Sequence, residues 1–383
     1  MNIESSNSVN LFSYSCLKKK KPRKIAVIGC GINGISCAIS LAERGHTIHI
    51  YEKKTAFSET SAKSSKLLHG GLRYLENGHF KLVKESLKER SNWVKKLPNM
   101  TKIQRFYLPV YEGRSRNKFV LYAGVKLYEI LAGKYSLGKS KMHSKRETLE
   151  ANPYLKPEGL TGSVSYVDVQ MDDYRIAEWL KNQALNKGVI LKENHEVLSF
   201  SNNGSLKTNS SSSENYDFII NAAGPWTKEL LNKNNINSKF DMSLVRGSHL
   251  IVNLKIQCPL VLQSEKDGRI IFMLPLKNLC LIGTTECKHL IKDPIVCTQI
   301  ERDYLLNIIN SYVDVHLTSK DIVDEYAGVR PLVFNSNTKD ISKISRDSAI
   351  ELNQSLINIF GGKWTSGLSL GHKVSNMIET NSG

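Results

Sequence analysis

Two kinds of hydrophobic pattern alternate near the start of this chain. Residues 25–28 and 47–51 are short apolar runs of strand length, and the residues between them place apolar side chains at helical spacing. The second run is followed by Glu52. Because strand, helix and strand follow one another within about 30 residues, the pattern predicts a βαβ unit over 24–54.

Three glycines, Gly29, Gly31 and Gly34, stand where the first predicted strand turns into the helix. In the spacing G-x-G-x-x-G the first makes the tight turn, the second lets a pyrophosphate approach the backbone, and the third lets helix and strand pack closely. Glu52 follows at about the distance at which a carboxylate binds an unphosphorylated ribose. These residues predict a dinucleotide-binding turn for NAD or FAD rather than NADP.

Beyond this unit, helical and strand-like segments alternate. Helices are predicted at 80–97, 117–135, 173–187 and 301–312, and strands at 163–170, 217–223 and within 245–286. Asp172 and Asp173 at the start of the third helix are expected to be N-cap and first-turn residues rather than catalytic acids. The chain returns to paired glycines at Gly361 and Gly362. This return suggests that its two terminal regions build one domain around an inserted strand-rich domain.

Composition narrows the class of protein. A chain of 383 residues is long enough for two domains. No run approaches the ~18 apolar residues of a membrane span, and four lysines at 18–21 follow the apolar N-terminal stretch, the reverse of a secretory signal. We therefore expect a cytoplasmic protein. The seven cysteines are odd in number and form no C-x-x-C pair, so reduced thiols are expected rather than disulfides or a metal site.

The formal net charge of +17 indicates an anionic partner, which is nucleic acid, anionic lipid or a phosphorylated substrate. No nucleic-acid-binding motif accompanies the basic run at 18–24, so nucleic acid is not expected as a partner. That run is either a tether to a membrane surface or a solvated tail. The predicted helix at 117–135 is rich in Tyr and Leu and is flanked by basic residues. It fits either a helix in a membrane interface or a core-facing helix.

Nine ordered segments of the chain resemble the FAD-dependent glycerol-3-phosphate dehydrogenases, members of the D-amino-acid-oxidase-like flavoenzymes. The segments are GCGINGISCA, SSKLLHGGLRYLE, NAAGPW, VRGSHLIV, DGRIIFMLP, LIGTTE, AGVRPL, SRD and FGGKWT. The resemblance implies bound FAD and oxidation of sn-glycerol 3-phosphate to dihydroxyacetone phosphate by hydride transfer to flavin N5. It also implies that the electrons pass to quinone or to oxygen.

The expected fold class is α/β (α+β), with a Rossmann-like FAD-binding domain and an inserted mixed-sheet substrate domain. We assign residues 24–80, 160–243 and 325–383 to the FAD-binding domain. Residues 81–159 and 244–324 form the substrate or cap domain, and residues 1–23 form a basic N-terminal tail.

The resemblance also implies roles for particular residues. His249 is expected to accept the substrate's hydroxyl proton, since the pKa of histidine suits that task, and Arg330 is the second catalytic candidate. Substrate binding is expected from Arg73, Tyr74, Arg346, Lys363 and Thr365, because several cationic groups recognise a phosphate dianion. Cofactor contacts are expected from Gly29, Gly31, Gly34, Glu52, Ser61, Ser65, Lys66, His69, Gly70, Gly71, Ala223, Gly224, Gly361, Gly362 and Lys363.

Some of these residues also fit structural roles. His249 fits a core histidine, Arg346 fits an ion-pair partner of Asp347, and Tyr74 fits a core residue. Glu59 stands where the loop of this family usually has glycine, so the fine geometry near the pyrophosphate is expected to depart from that of the family.

The sequence ends 18 residues after Thr365, where quinone-linked bacterial members generally continue into a helical domain. Membrane docking and the electron acceptor are therefore expected to differ, and a peripheral position on the inner face of the cell membrane is the alternative to a cytoplasmic one. The other functions considered are a related FAD-dependent 2-hydroxyacid or amine oxidase and a non-catalytic FAD-binding module at a membrane.

Overall fold

The computed structural model of the chain describes residues 21–76, 78–210, 212–335 and 348–381. The strands are β1 (Lys24–Ile28), β2 (Thr47–Tyr51), β3 (Leu67–Leu68), β4 (Thr101–Tyr111), β5 (Lys141–His143), β6 (Leu160–Met171), β7 (Ile190–Lys192), β8 (Val197–Phe200), β9 (Ser205–Thr208), β10 (Glu214–Asn215), β11 (Phe218–Asn221), β12 (Phe240–Val252), β13 (Leu260–Gln263), β14 (Ile270–Leu276), β15 (Leu279–Gly283), β16 (Cys287–Lys288), β17 (Ile322–Asn335), β18 (Ala349–Asn353) and β19 (Leu356–Phe360). The helices are α1 (Ile32–Ala42), α2 (Phe80–Lys96), α3 (Lys118–Ala132), α4 (Lys145–Ala151), α5 (Asp173–Asn186), α6 (Thr227–Lys233), α7 (Gln299–Tyr312) and α8 (Gly367–Thr380).

Strand β1 lies inside a six-stranded sheet with the order β18-β19-β11-β1-β2-β7. Its neighbours β2 and β11 run parallel to it, and β19 runs parallel to β11. The start and the end of the chain therefore share one sheet. Helices α1 and α8 pack together against it, and Gly371 permits their close approach, because a Cβ there would lie 2.4 Å from the carbonyl oxygen of Ser36.

A larger mixed sheet follows the path β16-β12-β15-β14-β13-β4-β6-β3, with β17 paired to β12 and β5 to β6. Its two faces carry separate cores. Leu260 and Leu262 of β13 belong to the core that includes α7, whereas Val261 between them belongs to the core that includes α2 and α3. Because side chains alternate across a strand, α7 covers one face, and α2 and α3 cover the other.

The strand pairing departs from the expected domain division at two places. Strand β6 pairs antiparallel with β4, and β17 pairs with β12 along almost its whole length. Both strands therefore lie in the mixed sheet, although the sequence analysis placed 160–171 and most of 322–335 with the nucleotide-binding region. An apolar strand does not reveal from its own residues which sheet it will join, because that choice is made by long-range pairing.

The predicted helices correspond to α2, α3, α5 and α7. Asp172 is the N-cap of α5, since its carboxylate accepts the backbone N–H of Arg175 at 3.1 Å, and Asp173 is in the first turn. The cysteines within the described ranges are free thiols. No helix in the same ranges is long and apolar enough to cross a membrane.

Candidate active site

The glycine turn after β1 has the geometry that the sequence motif requires. Gly29 has φ +94°, and a Cβ there would lie 2.7 Å from the carbonyl oxygen of Ala222. A Cβ on Gly34 would lie only 2.0 Å from the carbonyl oxygen of Gly29, so no other residue fits where α1 packs on this turn. Gly31 is the N-cap of α1. The positive end of a helix dipole at such a turn favours an anion.

A cavity of about 340 Å³ opens beside this turn. Among the predicted cofactor contacts, its lining includes Gly29, Gly31, Glu52, Ser61, Ala223, Gly224, Gly361 and Gly362. The carboxylate of Glu52 accepts the backbone N–H of Cys30 at 2.8 Å, which fixes it at the end of β2 facing the turn. The hydroxyl of Ser61 accepts the backbone N–H of Ile32 at 3.1 Å, at the start of α1.

The paired glycines after β19 also line this cavity. Gly361 and Gly362 have φ of +75° and +100°, a conformation that favours glycine. The amide of Asn33 donates to the carbonyl oxygen of Gly361 at 2.9 Å, and a Cβ on Gly362 would lie 2.5 Å from Asn33 Nδ2. Residues from both ends of the chain therefore enclose the cavity.

Glu59 also lines the cavity, and its backbone does not require glycine. Its φ is −98°, and its carboxylate forms an ion pair with the ammonium of Lys54. The backbone at this position is therefore open to residues other than glycine, and the Glu59 side chain lies at the cavity.

His249 lies on β12 and is 1% exposed. Its Nε2 forms a hydrogen bond with the Ser65 hydroxyl at 2.8 Å, and its ring stacks on that of Tyr326 with 4.8 Å between centroids. Nδ1 has no hydrogen-bond partner among the described residues. Burial, and then the positive charges of Arg330 and Lys66, lower the pKa of His249 well below its ordinary value. The imidazole is therefore neutral at neutral pH and can accept a proton.

Arg330 lies on β17, which pairs with the His249 strand. Its guanidinium donates to the hydroxyl of Thr284 at 2.8 Å. A Cβ on Gly247, diagonal to Arg330 across the strand pair, would lie 2.6 Å from Arg330 Nη2, so this glycine makes room for the side chain. The β12–β17 pair thus brings a neutral imidazole and a guanidinium into one region.

Two further predicted residues, Lys363 and Tyr74, meet beside this region. The ammonium of Lys363 is buried, lies 4.3 Å from the centre of the Tyr74 ring, and has no hydrogen-bond partner within the part of the chain that the structure describes. Thr365 is in hydrogen-bond contact with the backbone of His69, whose N–H lies 3.3 Å from its hydroxyl.

Arg73, Lys66 and Arg346 differ from this group. Arg73 is 39% exposed at its side chain, and its guanidinium lies 3.5 Å from the carboxylate of Glu286. The ammonium of Lys66 forms an ion pair with the buried carboxylate of Asp173 rather than lining the cavity. Arg346 lies outside the described residues.

Comparison with known proteins identifies the family of this chain. The family described as FAD dependent oxidoreductase matches residues 24–376. The chain belongs to this family. Aerobic glycerol-3-phosphate dehydrogenase of Staphylococcus saprophyticus is 33% identical over 378 residues, which cover 92% of this chain and 68% of that protein. The enzyme of the same name from Staphylococcus aureus is also 33% identical, with 66% of its length covered. The chain thus spans about two thirds of the length of these relatives.

Solved structures of this flavoenzyme class share the fold. Glycerol-3-phosphate dehydrogenase from Bacillus halodurans, complexed with FAD, aligns over 95% of this chain and 65% of its own with a TM-score of 0.74 and 24% identity. L-alpha-glycerophosphate oxidase from Mycoplasma pneumoniae, with FAD bound, has a TM-score of 0.78 at 19% identity and is covered over 95% of its length, against 94% of this chain.

The residues of this family member fit the cofactor of the family. The cavity is lined by the glycine turn, by Glu52 and by Gly361–Gly362, and the glycines there leave space that side chains would fill. The buried Asn33 Oδ1 and Lys363 Nζ both lack hydrogen-bond partners among the described residues. Such atoms are expected where a polar group binds.

Sequence reasoning missed Glu301, a buried carboxylate bonded to the chain neighbour of His249. It accepts hydrogen bonds from the hydroxyls of Ser248 and Thr285 at 2.8 and 2.7 Å. Burial by itself would raise the pKa of Glu301, but these bonds and those from Thr298 lower it to about 2. The signal was present, because Thr298 and Glu301 form a capping box at the start of α7.

Sequence reasoning also missed Arg90, Tyr128 and Asp168, which form a buried network beneath the Gly70–Gly71 turn. No local signal could have found them, because they lie on α2, α3 and β6.

Proposed function

We propose that this chain oxidises sn-glycerol 3-phosphate to dihydroxyacetone phosphate with FAD as the hydride acceptor. The observation that carries the proposal is the placement of neutral His249 and cationic Arg330 on the paired strands β12 and β17. The family and the named relatives support the same class of reaction.

The proposed chemistry is a two-electron oxidation of a secondary alcohol. FAD, when bound, supplies a two-electron acceptor at flavin N5 for the hydride that leaves the substrate carbon. His249 takes the hydroxyl proton on a ring nitrogen as the carbon–oxygen double bond forms. The Ser65 hydroxyl holds the imidazole through Nε2, and burial keeps the imidazole unprotonated before the reaction.

Phosphate recognition is assigned to the cationic residues of the site. Arg330 offers a guanidinium, and Lys363 a buried ammonium, and such groups form charge-assisted hydrogen bonds with a phosphate dianion. Arg73, with its partly exposed guanidinium, and Arg346 are the further proposed contacts. A carboxylate substrate, as in a 2-hydroxyacid or amine oxidase, needs fewer cations, so this set favours phosphate.

For the electron acceptor we propose a quinone at an anionic membrane surface. The inner face of α3 is core, since Val125, Tyr128 and Ala132 are buried. Its outer face is apolar and open, with Phe119, Val120 and Ile130 exposed by 71%, 60% and 66%. The inner side of α3 is therefore core-facing, and its outer side offers the apolar surface that attachment to a membrane interface would need. Because the net charge of +17 attracts anionic lipid, we propose peripheral attachment to the inner face of the cell membrane, with oxygen as the alternative acceptor.

Anaerobic titration of the purified flavoprotein tests the proposal. Glycerol 3-phosphate should bleach the flavin absorbance rapidly, whereas glycerol, 2-hydroxyglutarate and sarcosine should do so slowly or not at all. Faster reduction by 2-hydroxyglutarate or sarcosine would instead identify a hydroxyacid or amine oxidase. If no compound reduces a flavin that dithionite reduces readily, a non-catalytic FAD-binding module becomes the better account.

A further inference from the structure

A chain of buried hydrogen bonds runs from α2 to the turn at Gly70 and Gly71. We propose that Arg90, Asp168 and Tyr128 are positioning residues that hold this turn against bound FAD. The inference rests on FAD binding, and it does not depend on which substrate the enzyme oxidises.

The chain of bonds is continuous. Arg90 Nη1 donates to Asp168 Oδ1 at 3.1 Å, and the Tyr128 hydroxyl donates to Asp168 Oδ2 at 2.8 Å. The same hydroxyl accepts the backbone N–H of Gly70 at 2.7 Å. Three elements, α2, β6 and α3, thus act on a single backbone N–H group of the turn.

Burial makes each of these bonds matter. Arg90 is 1% exposed and Asp168 is 2% exposed. Burial, and then the charge of Asp168, raise the pKa of Tyr128 well above its ordinary value. The hydroxyl therefore stays protonated and donates a hydrogen bond to the carboxylate. A buried ion pair adds little net stability compared with apolar residues of the same volume. The better explanation for the buried Arg90–Asp168 pair is therefore that its directional hydrogen bonds hold neighbouring groups in fixed positions.

The turn itself has no room to move towards the helices. A Cβ on Gly70 would lie 2.6 Å from both Leu87 Cγ and the Tyr128 hydroxyl, and Gly71 has φ +78°. The backbone of this turn is therefore in close contact with α2 and α3, and the Tyr128 hydroxyl determines how closely it approaches them.

Helix α2 also fixes a second turn of the site. The indole N–H of Trp93 donates to the carbonyl oxygen of Thr365 at 3.1 Å, and the Thr365 hydroxyl accepts the backbone N–H of His69 at 3.3 Å. One helix thus sets the relative positions of the Gly70–Gly71 turn and the Lys363–Thr365 turn. Both turns carry predicted cofactor contacts, so a helix that lines no part of the cavity would control the shape of the FAD site.

The test compares Tyr128→Phe with Tyr111→Phe. Each change removes one hydroxyl from a nearly buried tyrosine and leaves a backbone group without its partner, since the Tyr111 hydroxyl donates to the carbonyl oxygen of Lys156 at 2.8 Å. Tyr111 belongs to the core on the α7 side of the mixed sheet. The measurements are the Kd of FAD for the apoprotein, the visible circular dichroism of bound FAD, and amide exchange at residues 69–72 in the apoprotein.

Tyr128→Phe should raise the FAD Kd about tenfold, the scale expected when a buried donor loses its partner. It should also change the visible circular dichroism and speed amide exchange at 69–72, whereas Tyr111→Phe should leave all three measurements unchanged. Arg90→Lys, which keeps the positive charge but loses the planar guanidinium with its several N–H donors, should shift the same measurements in the same direction.

Wild-type values in Tyr128→Phe would overturn the inference. Equal changes in Tyr111→Phe would do so as well, since the effect would then be a general loss of stability. None of these measurements needs a substrate, so an FAD-binding protein that fails to oxidise glycerol 3-phosphate would refute the proposed function and leave this inference standing.

Discussion

Ser65 and His249 are hydrogen-bonded to each other, with 2.8 Å between Ser65 Oγ and His249 Nε2, although 184 positions separate them in sequence. Ser65 was expected to contact the cofactor. The structure places it beside the imidazole instead of in the cavity lining, and we propose that it fixes the orientation of the proposed proton acceptor.

Replacing Ser65 with Ala should therefore lower kcat for glycerol 3-phosphate by about 2- to 10-fold, the usual effect of one lost hydrogen bond. The Kd of FAD should change little. Steady-state kinetics and FAD titration check this, with Ser311→Ala on α7 as the control, because the Ser311 hydroxyl donates to the carbonyl oxygen of Ile308 at 2.7 Å and does not line the cavity. Full activity in Ser65→Ala would show that the contact does not orient the base.

The pH profile of kcat/KM should reveal the lowered pKa of His249. Burial, Arg330 and Lys66 disfavour the imidazolium, so activity should persist below pH 6.5 and be lost only as pH falls through the lowered value. Arg330→Gln removes one of these positive charges, which should raise the pKa and move the acidic limb to higher pH. A wild-type limb above pH 6.5, or one that stays in place in Arg330→Gln, would contradict the assignment of His249 as the base.

Arg330→Ala should weaken transition-state stabilisation for glycerol 3-phosphate by roughly 2–5 kcal/mol, the cost of truncating one partner of a hydrogen-bonded charge pair. The same change should cost much less with glycerol, which has no phosphate. The ratio of kcat/KM for the two substrates is the measurement. An equal fall in kcat/KM with both substrates would show that Arg330 does not bind the phosphate.

Gly31→Val should abolish FAD binding, because its side chain would enter the space where a pyrophosphate must approach, and its Cβ would already lie 3.1 Å from the Ser61 hydroxyl. Gly124→Val is the matched control, since a Cβ there would meet no heavy atom of the described residues within 4 Å apart from its chain neighbours and the backbone of its own helix. The flavin content of the purified variants checks the prediction. A flavin content equal to that of the wild type in Gly31→Val would show that the pyrophosphate does not approach the backbone at Gly31.

Membrane attachment predicts salt-sensitive binding to vesicles of anionic lipid, because the attraction to basic residues is screened by salt. Changing the four lysines at 18–21 to Gln together with Phe119→Ser and Ile130→Ser should abolish co-sedimentation. Ile300→Ser, at a residue that is 82% exposed on α7, serves as the control. If the FAD-loaded wild-type protein does not sediment with these vesicles at low salt, an oxygen-using enzyme away from the membrane becomes the better account. Lysines 18–20 lie outside the described residues.

The sequence by itself determined the features that depend on local sterics. The roles of Gly29 and Gly34 follow from their spacing in the motif. Only glycine tolerates the φ of +94° at Gly29, and a Cβ added at Gly34 would lie 2.0 Å from a carbonyl oxygen. Hydrophobic periodicity likewise located α2, α3, α5 and α7, since each helix hides one face.

Tertiary structure alone decided which distant residues meet. The assignment of β6 and β17 to the mixed sheet, the contact of Ser65 with His249, and the Arg90–Asp168–Tyr128 network all depend on strand pairing and helix packing between remote segments. A residue's own neighbours in sequence carry no record of such contacts, because the free energy that selects them comes from burying whole faces of elements against one another.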